Sequence, residues 1–411
     1  MKQQKTILVL NAGSSSQKIA LFPATAESDA LPAPLWEASL EWADDNGGGK
    51  RTLTVPDCAD EIETLPGSTG RKQAIADAVA LLWYGKAGVL PGKESITAVG
   101  HRVVHGGAQY RETTRITPEV IAAIQKLAPL APAHNPAAVE GMEAMTALLG
   151  GDVPQFAAFD TAFHHTIPEA AAVYGGPFAW VEQGIRRYGF HGISYRYCTG
   201  RAAELLARPM TDLRLIVCHL GNGCSVAAMK NGASVDTTMG YTPMDGLVMG
   251  TRCGTVDPGV LLYLEREQNA TAETLSDLLN KNSGMKGLCG TGDMREVTRA
   301  MAAGDDRARL AFDVFVYRLR SYIGAMLPAL GGLDALVFTG GIGTHSAAVR
   351  AATCEGFDFA GVRLDPARNA ASSKDDRDVS EPDAPVRLLV LTTQEDASIA
   401  RECDALTRDA R

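Results

Sequence analysis

The stretch TILVLNAGSSSQKIALF, residues 6–22, interrupts a strand and then resumes it. Ile7 to Leu10 form an unbroken apolar run, as a strand covered on both faces requires. The run ends in Asn11, Ala12 and Gly13, passes through three serines and Lys18, and returns to apolar residues at Ile19 to Phe22. Backbone N–H groups in such a turn can converge on an anion, because glycine permits positive φ and close approach. Serine hydroxyls add donors and the lysine adds a point charge. A single turn of this kind reads equally well as a plain hairpin.

The chain repeats the plan. LIVCHLGNGCSVAAMKNG, residues 215–232, again sets an apolar strand, a turn of Asn, Gly and Ser, and a second strand. A third Gly-rich turn follows a strand in ALVFTGGIGTH, 335–345. A duplicated strand–turn–strand unit predicts two related half-molecules. Three Gly-rich turns, each after a strand, shift the reading from hairpin to phosphate cradle and point to a nucleotide. Neither GxxxxGK[ST] nor GxGxxG occurs, so the chain is not a P-loop or dinucleotide-binding protein by motif.

With 411 residues, 45% hydrophobic and 21% charged, the sequence predicts a globular protein of about two domains. A net charge of −9 argues against a nucleic-acid partner. No apolar run reaches the length of a membrane span, which argues against a membrane partner. The eight cysteines include no CxxC pair, so zinc and redox readings weaken and a cytoplasmic location is expected. Strand-like runs at 6–10, 18–22, 97–104, 154–159, 213–219, 224–229, 335–339 and 386–391 alternate with helical patterns at 71–84, 117–127, 137–149, 195–206, 273–280, 306–327 and 396–407. That alternation predicts an α/β architecture. Residues 40–70 read as an exposed hairpin or loop, and 365–385 as a surface connection. His101 and His105 have a metal-ligand spacing, but the Val-Val pair between them reads as strand, so no metal is assigned there.

GHRVVHGG (100–107), FDTAFHHTIP (159–168), RRYGFHGISYRY (186–197), HLGNGCS (219–225), DTTMGYTPMDGLVMGTRCGTVDPG (236–259) and FTGGIG (338–343) resemble the acetate kinase family, in order and over nearly the whole chain. The resemblance implies two duplicated ribonuclease H-like α/β domains of the sugar kinase, heat-shock chaperone and actin type, flanking a nucleotide cleft. The expected boundaries are 1–160 plus 394–411 for one domain and 161–393 for the other. It further implies reversible transfer of the ATP γ-phosphoryl group to acetate, with Mg²⁺ (Mn²⁺ as a substitute), in a cytoplasmic homodimer.

Such a reaction asks for alignment and for cover of developing negative charge, not for a base, since a carboxylate is already ionised at neutral pH. The family-matched positions are of that kind. Arg102 is expected to hold the substrate carboxylate, and Arg252 to grip carboxylate and phosphoryl together, because a planar guanidinium fits two oxygens at once. His191 is expected to donate to a phosphoryl oxygen, and Asp160 to orient Arg252 or His191 or to sit near the metal. Val104, Ala133, Phe190 and Pro243 are expected around the acetate methyl. Asn11 and Glu395 are expected to organise the metal. Nucleotide contacts are expected from Ser14, Ser16, Lys18 and His134, from His219, Leu220, Gly221, Asn222 and Gly223 in the second turn, from Asp293, Met294 and Arg295, and from Gly341, Ile342 and Gly343. Competing readings are a turn Asp for Asp160, a first-turn acid for Glu395 and an N-cap for Asp293.

The sequence departs from the family at Ala133, where Leu is usual, which predicts a roomier pocket that favours propionate more than usual. Thr255 replaces an Asp, Tyr195 a His, and Thr344 and His345 a Glu-Asn pair. An ATPase switch of the same fold would have no use for Arg102 and Arg252, and a sugar kinase would need a base and a polar pocket.

Overall fold

The computed structural model describes residues 5–13, 16–24, 31–43, 48–84 and 87–409. The chain divides into two compact units, Met1–Ala162 with Gln394–Arg411, and Phe163–Thr393. Each unit is built on one mixed sheet.

In the first unit the strands are β1 (Thr6–Ala12), β2 (Ser16–Pro23), β3 (Trp36–Trp42), β4 (Gly49–Thr54), β5 (Glu61–Leu65), β6 (Ile96–Val103), β7 (Thr114–Arg115) and β8 (Gln155–Phe159), in spatial order β5-β4-β3-β2-β1-β6-β8-β7. The second unit holds β9 (Arg214–Leu220), β10 (Cys224–Lys230), β11 (Ala233–Thr237), β12 (Ala335–Thr339), β13 (Arg377–Asp378) and β14 (Arg387–Val390), in order β11-β10-β9-β12-β14-β13. The two sheets share one plan. An antiparallel meander (β3-β2-β1 or β11-β10-β9) is followed by two parallel strands (β6 and β8, or β12 and β14). A two-residue antiparallel edge strand then closes each sheet. The repeated turn in the sequence is thus the trace of a repeated sheet.

β1 and β9 are central strands, and Ile7, Leu8, Leu215, Ile216, Val217 and Cys218 are all fully buried. Helices cover the sheets. In the first unit, helix Glu395–Asp409 packs on β1 and β6, as does helix Asn135–Leu149. They approach from opposite faces. A Cβ on Gly100 would stand 2.5 Å from Ile399 Cγ2 and 2.8 Å from Cys403 Sγ, whereas one on Gly141 would stand 3.7 Å from the ring of the next strand residue, His101. Gly100 therefore sets how closely the last helix can lie on the sheet. In the second unit, helices Gly192–Leu206 and Asp306–Leu330 pack on the sheet.

One expectation is narrowed and one corrected. Of the two readings of 40–70, the hairpin holds: β4 and β5 pair antiparallel, β5 is largely exposed, and both extend the meander, with Leu40, Leu53 and Leu65 in the core beside Trp36. Residues 365–385 are more than a connection, since helix Pro366–Ala370 and β13 lie within them and Val379 and Ser380 are fully buried. Among the described residues no helix is long and apolar enough to cross a membrane.

Candidate active site

The chemistry-bearing residues gather at the carboxyl ends of the parallel strands, where open α/β sheets present ligand sites. In the first unit, Asn11 near the end of β1 sits in register with Arg102 near the end of β6, and Asp160 follows β8 directly. Arg102 makes a two-pronged pair with Asp160, Nε to Oδ1 at 3.0 Å and Nη2 to Oδ2 at 2.7 Å. Its Nη1 donates to Asn11 Oδ1 at 3.1 Å and lies 3.7 Å from Glu395 Oε2. Burial works against the guanidinium's charge, but Asp160 and then Glu395 outweigh it and raise its pKa. Arg102 is thus a fixed cation. Asp160, expected to orient Arg252 or His191 or to sit near the metal, holds Arg102.

Glu395 opens the last helix as a first-turn acid. Its neighbour Asp396 escaped the sequence reading, yet it accepts from Asn11 Nδ2 at 2.7 Å. Burial, opposed by that bond, pushes the Asp396 carboxyl up, and the charge of Glu395 adds to the rise. Lys18, exposed and opposite Asn11 on β2, lies close enough to pull it down again. The signal was present as two successive acids in QEDAS at a helix start. Ser16 begins β2, and its carbonyl accepts from Gly13 N at 2.8 Å. Ser14 lies outside the described residues. His134 precedes helix Asn135–Leu149 at its N-cap. Val104 is buried and Ala133 is exposed.

In the second unit, β9 and β10 are joined by Gly221, Asn222 and Gly223, with Gly221 N donating to Gly223 O at 3.0 Å. This turn forms one wall of a cavity of about 580 Å³. Asp293, Met294 and Arg295 line another wall, with Gly341 and Ile342 opposite, so seven of the predicted nucleotide residues share one cavity. Thr298, His345 and Ser346 line it as well, and of these the sequence had singled out only His345. Asp293 caps helix Met294–Ala302 and pairs with Arg295 at 2.6 Å. That pairing holds its carboxyl down at about 2. His219 and Leu220 end β9, and Gly343 is buried in the short helix Gly340–His345. Gly340 needs its φ of +75°, because a Cβ there would stand 2.6 Å from the Leu220 carbonyl oxygen.

Beside the same turn stand His191 and Arg252. A Cβ on Gly223 would lie 3.6 Å from both His191 Nε2 and Arg252 Nη1. Arg252 donates to the Pro243 carbonyl at 2.8 Å, and burial lowers its pKa. Among the described residues no carboxylate forms an ion pair with Arg252. A half-buried cation so placed favours an arriving anion. Phe190 is buried behind His191, and Pro243 is half-buried.

A Gly-lined cavity beside an arginine and a histidine suits a polyphosphate. The acetokinase family model matches residues 6–401. The chain belongs to the acetokinase family. The chain is 52% identical over 399 residues to an acetate kinase of a Cyanothece strain, covering 97% of each chain. It is 52% identical over 400 residues to an acetate kinase of Gloeobacter violaceus, covering 97% of this chain and 98% of that one. Among solved structures it is similar to an acetate kinase of Porphyromonas gingivalis, with a TM-score of 0.88, 38% identity and coverage of 98% of this chain and 99% of that one. It is similar to a propionate kinase of Francisella tularensis, with a TM-score of 0.88, 35% identity and the same coverage. The family is one of carboxyl-group phosphotransferases, and the two mixed sheets agree with its fold.

Proposed function

We propose that this chain is an acetate kinase that transfers the ATP γ-phosphoryl group to acetate, reversibly, by direct in-line displacement. The observation that carries the reading is Arg252, a half-buried guanidinium that pairs with no carboxylate among the described residues, held beside His191 at the turn of the Gly-lined cavity. ATP would lie in that cavity, with its phosphates along Gly221–Gly223 and its nucleoside toward Asp293–Arg295 and Gly341–Ile342. Acetate would be held through Arg102, whose charge Asp160 fixes, and through Arg252, with Val104, Ala133, Phe190 and Pro243 around its methyl. As oxygen bonds to phosphorus and the ADP oxygen leaves, negative charge on the equatorial oxygens would be covered by Arg252 and His191. No proton needs to move, because the nucleophile is already ionised.

The donor set for a metal is Asn11, Glu395 and the adjoining Asp396. Among the described residues no three Asp, Glu, His or Cys side chains form a metal cage. Two carboxylates and an amide nevertheless suit Mg²⁺, which keeps several waters and takes the rest of its oxygens from phosphate. When bound, the ion would neutralise phosphate charge. A homodimer through the second unit would cover Val260, Leu262, Tyr263, Leu310 and Tyr317, which are large apolar side chains exposed on two helices. Among the described residues the eight cysteines form no disulfide, which suits a reducing, cytoplasmic compartment.

Propionate is the second reading, favoured by Ala133 where the family usually has Leu. The test is purified protein with MgATP and hydroxylamine, given acetate, propionate, butyrate or glycerol in turn. Hydroxamate from acetate, with ADP released in step, is the expected result. ADP release without hydroxamate would overturn the proposal in favour of an ATPase or a polyol kinase.

A further inference from the structure

We infer that Tyr195 and Ser225 are positioning residues that hold His191 as the neutral tautomer with its proton on Nε2. Tyr195 is fully buried, and its hydroxyl meets Ser225 Oγ at 2.5 Å. Burial pushes the phenol well above its ordinary range, so it keeps its proton. A buried O–H must donate, and Ser225 Oγ is its partner among the described residues. Ser225 is also fully buried, and its oxygen lies 2.8 Å from His191 Nδ1. A serine hydroxyl has one proton. Having accepted from Tyr195, Ser225 gives that proton to Nδ1. A ring nitrogen that accepts is bare, so the neutral imidazole carries its hydrogen on Nε2.

Nε2 is the nitrogen that faces Gly223 and the Arg252 guanidinium. The Arg252 guanidinium beside the same turn opposes a positive charge on the ring, and His219 is stacked on it with centroids 4.1 Å apart and planes at 16°. His219 is held in turn through Nδ1 by Ser194 Oγ at 2.9 Å. The backbone agrees. His191 sits at φ 59°, a left-handed conformation that costs a non-glycine residue about 1–2 kcal/mol and persists only when its surroundings impose it. The relay therefore presents a ready-made N–H donor that needs no titration near neutral pH. Its catalytic meaning rests on the reaction proposed above, but the tautomer does not.

The experiment is side-chain ¹⁵N NMR of full-length protein labelled in its eight histidines, with His191→Gln to assign the signal. The wild type should show the Nε2–H tautomer, unchanged from pH 8 to pH 6. Ser225→Ala should mix the tautomers and bring protonation into that range. It should also lower kcat about tenfold at pH 7 with little change in KM for MgATP. Ser225→Thr, which keeps the hydroxyl, should restore the wild-type signal. A wild-type Nδ1–H tautomer, or a Ser225→Ala spectrum and pH profile like the wild type, would overturn the inference. The wild-type spectrum decides even if the variants fold poorly. A correct tautomer in a protein that makes no hydroxamate would sink the reaction and leave the relay standing.

Discussion

Arg252 and Arg102 are both half-buried cations, but their surroundings differ. Asp160 holds Arg102 in two-pronged contact, whereas among the described residues Arg252 donates to the Pro243 carbonyl and a thioether and pairs with no carboxylate. The first is fixed before substrate arrives, and the second meets charge only with substrate. Arg252→Ala should therefore lower kcat at least a hundredfold, typical for loss of a group that covers transition-state charge, while urea stability holds. A rate within a few fold of wild type would remove Arg252 from the chemistry. Ala133 carries a different prediction. Ala133→Leu should lower the propionate-to-acetate ratio of kcat/KM by about ten- to a hundredfold, the range that a methylene's worth of pocket allows. An unchanged ratio would show that Ala133 does not touch the acyl chain. Both arginines were legible from motif. Asp396 and Ser225 were not, because an acid at a helix start and a serine in a strand look ordinary until their partners, 385 and 34 residues away, are in place.

Among the elements, the strands that sequence located best are the central ones. β1, β9 and β12 are buried on both faces and read as unbroken apolar runs. β4 and β5 sit at the far end of their sheet, bury one residue each, and so read as an exposed hairpin or loop without defined strands. Helix Pro258–Gln268 was missed for a related reason: it buries no residue in this chain, so it has no apolar face toward a core. The last helix was found from its pattern, but its closeness to the sheet depends on Gly100, whose role no periodicity reveals. Gly100→Ala would drive a methyl to 2.5 Å from Ile399 and 2.8 Å from Cys403. The helix must shift outward, and Glu395 and Asp396 at its start shift with it. The variant should lose about 1–3 kcal/mol of stability and need more Mg²⁺ for half-maximal rate. Lost stability with an unaltered Mg²⁺ requirement would separate those acids from the metal.

For the whole molecule, duplication has a consequence in acid. Each unit buries a histidine that the proposed chemistry does not use and that burial keeps neutral. In the first, His101 meets Gln155 Oε1 at 2.7 Å, and in the second His164 bridges Ser234 Oγ at 2.8 Å and the Phe190 carbonyl at 3.0 Å. Burial pushes both down to about 4. An unfolded histidine titrates near 6.5, so between pH 6.5 and 4 the unfolded chain binds more protons than the folded one. Stability contributed by each ring is complete above about 6.5 and is lost as pH falls toward 4. The loss by pH 5, relative to pH 7, is roughly 2 kcal/mol per ring. Asp396, whose pKa burial raises, works in the opposite direction, so a wild-type melt alone mixes the two signs. His101→Gln separates them: it can keep a polar contact to Gln155 but cannot titrate. Urea midpoints should fall from pH 7 to pH 5 by less in His101→Gln than in wild type, with the difference confined to the transition of the first unit. An equal fall in both proteins would mean that His101 is already charged when folded, and the buried neutral ring would have to be abandoned.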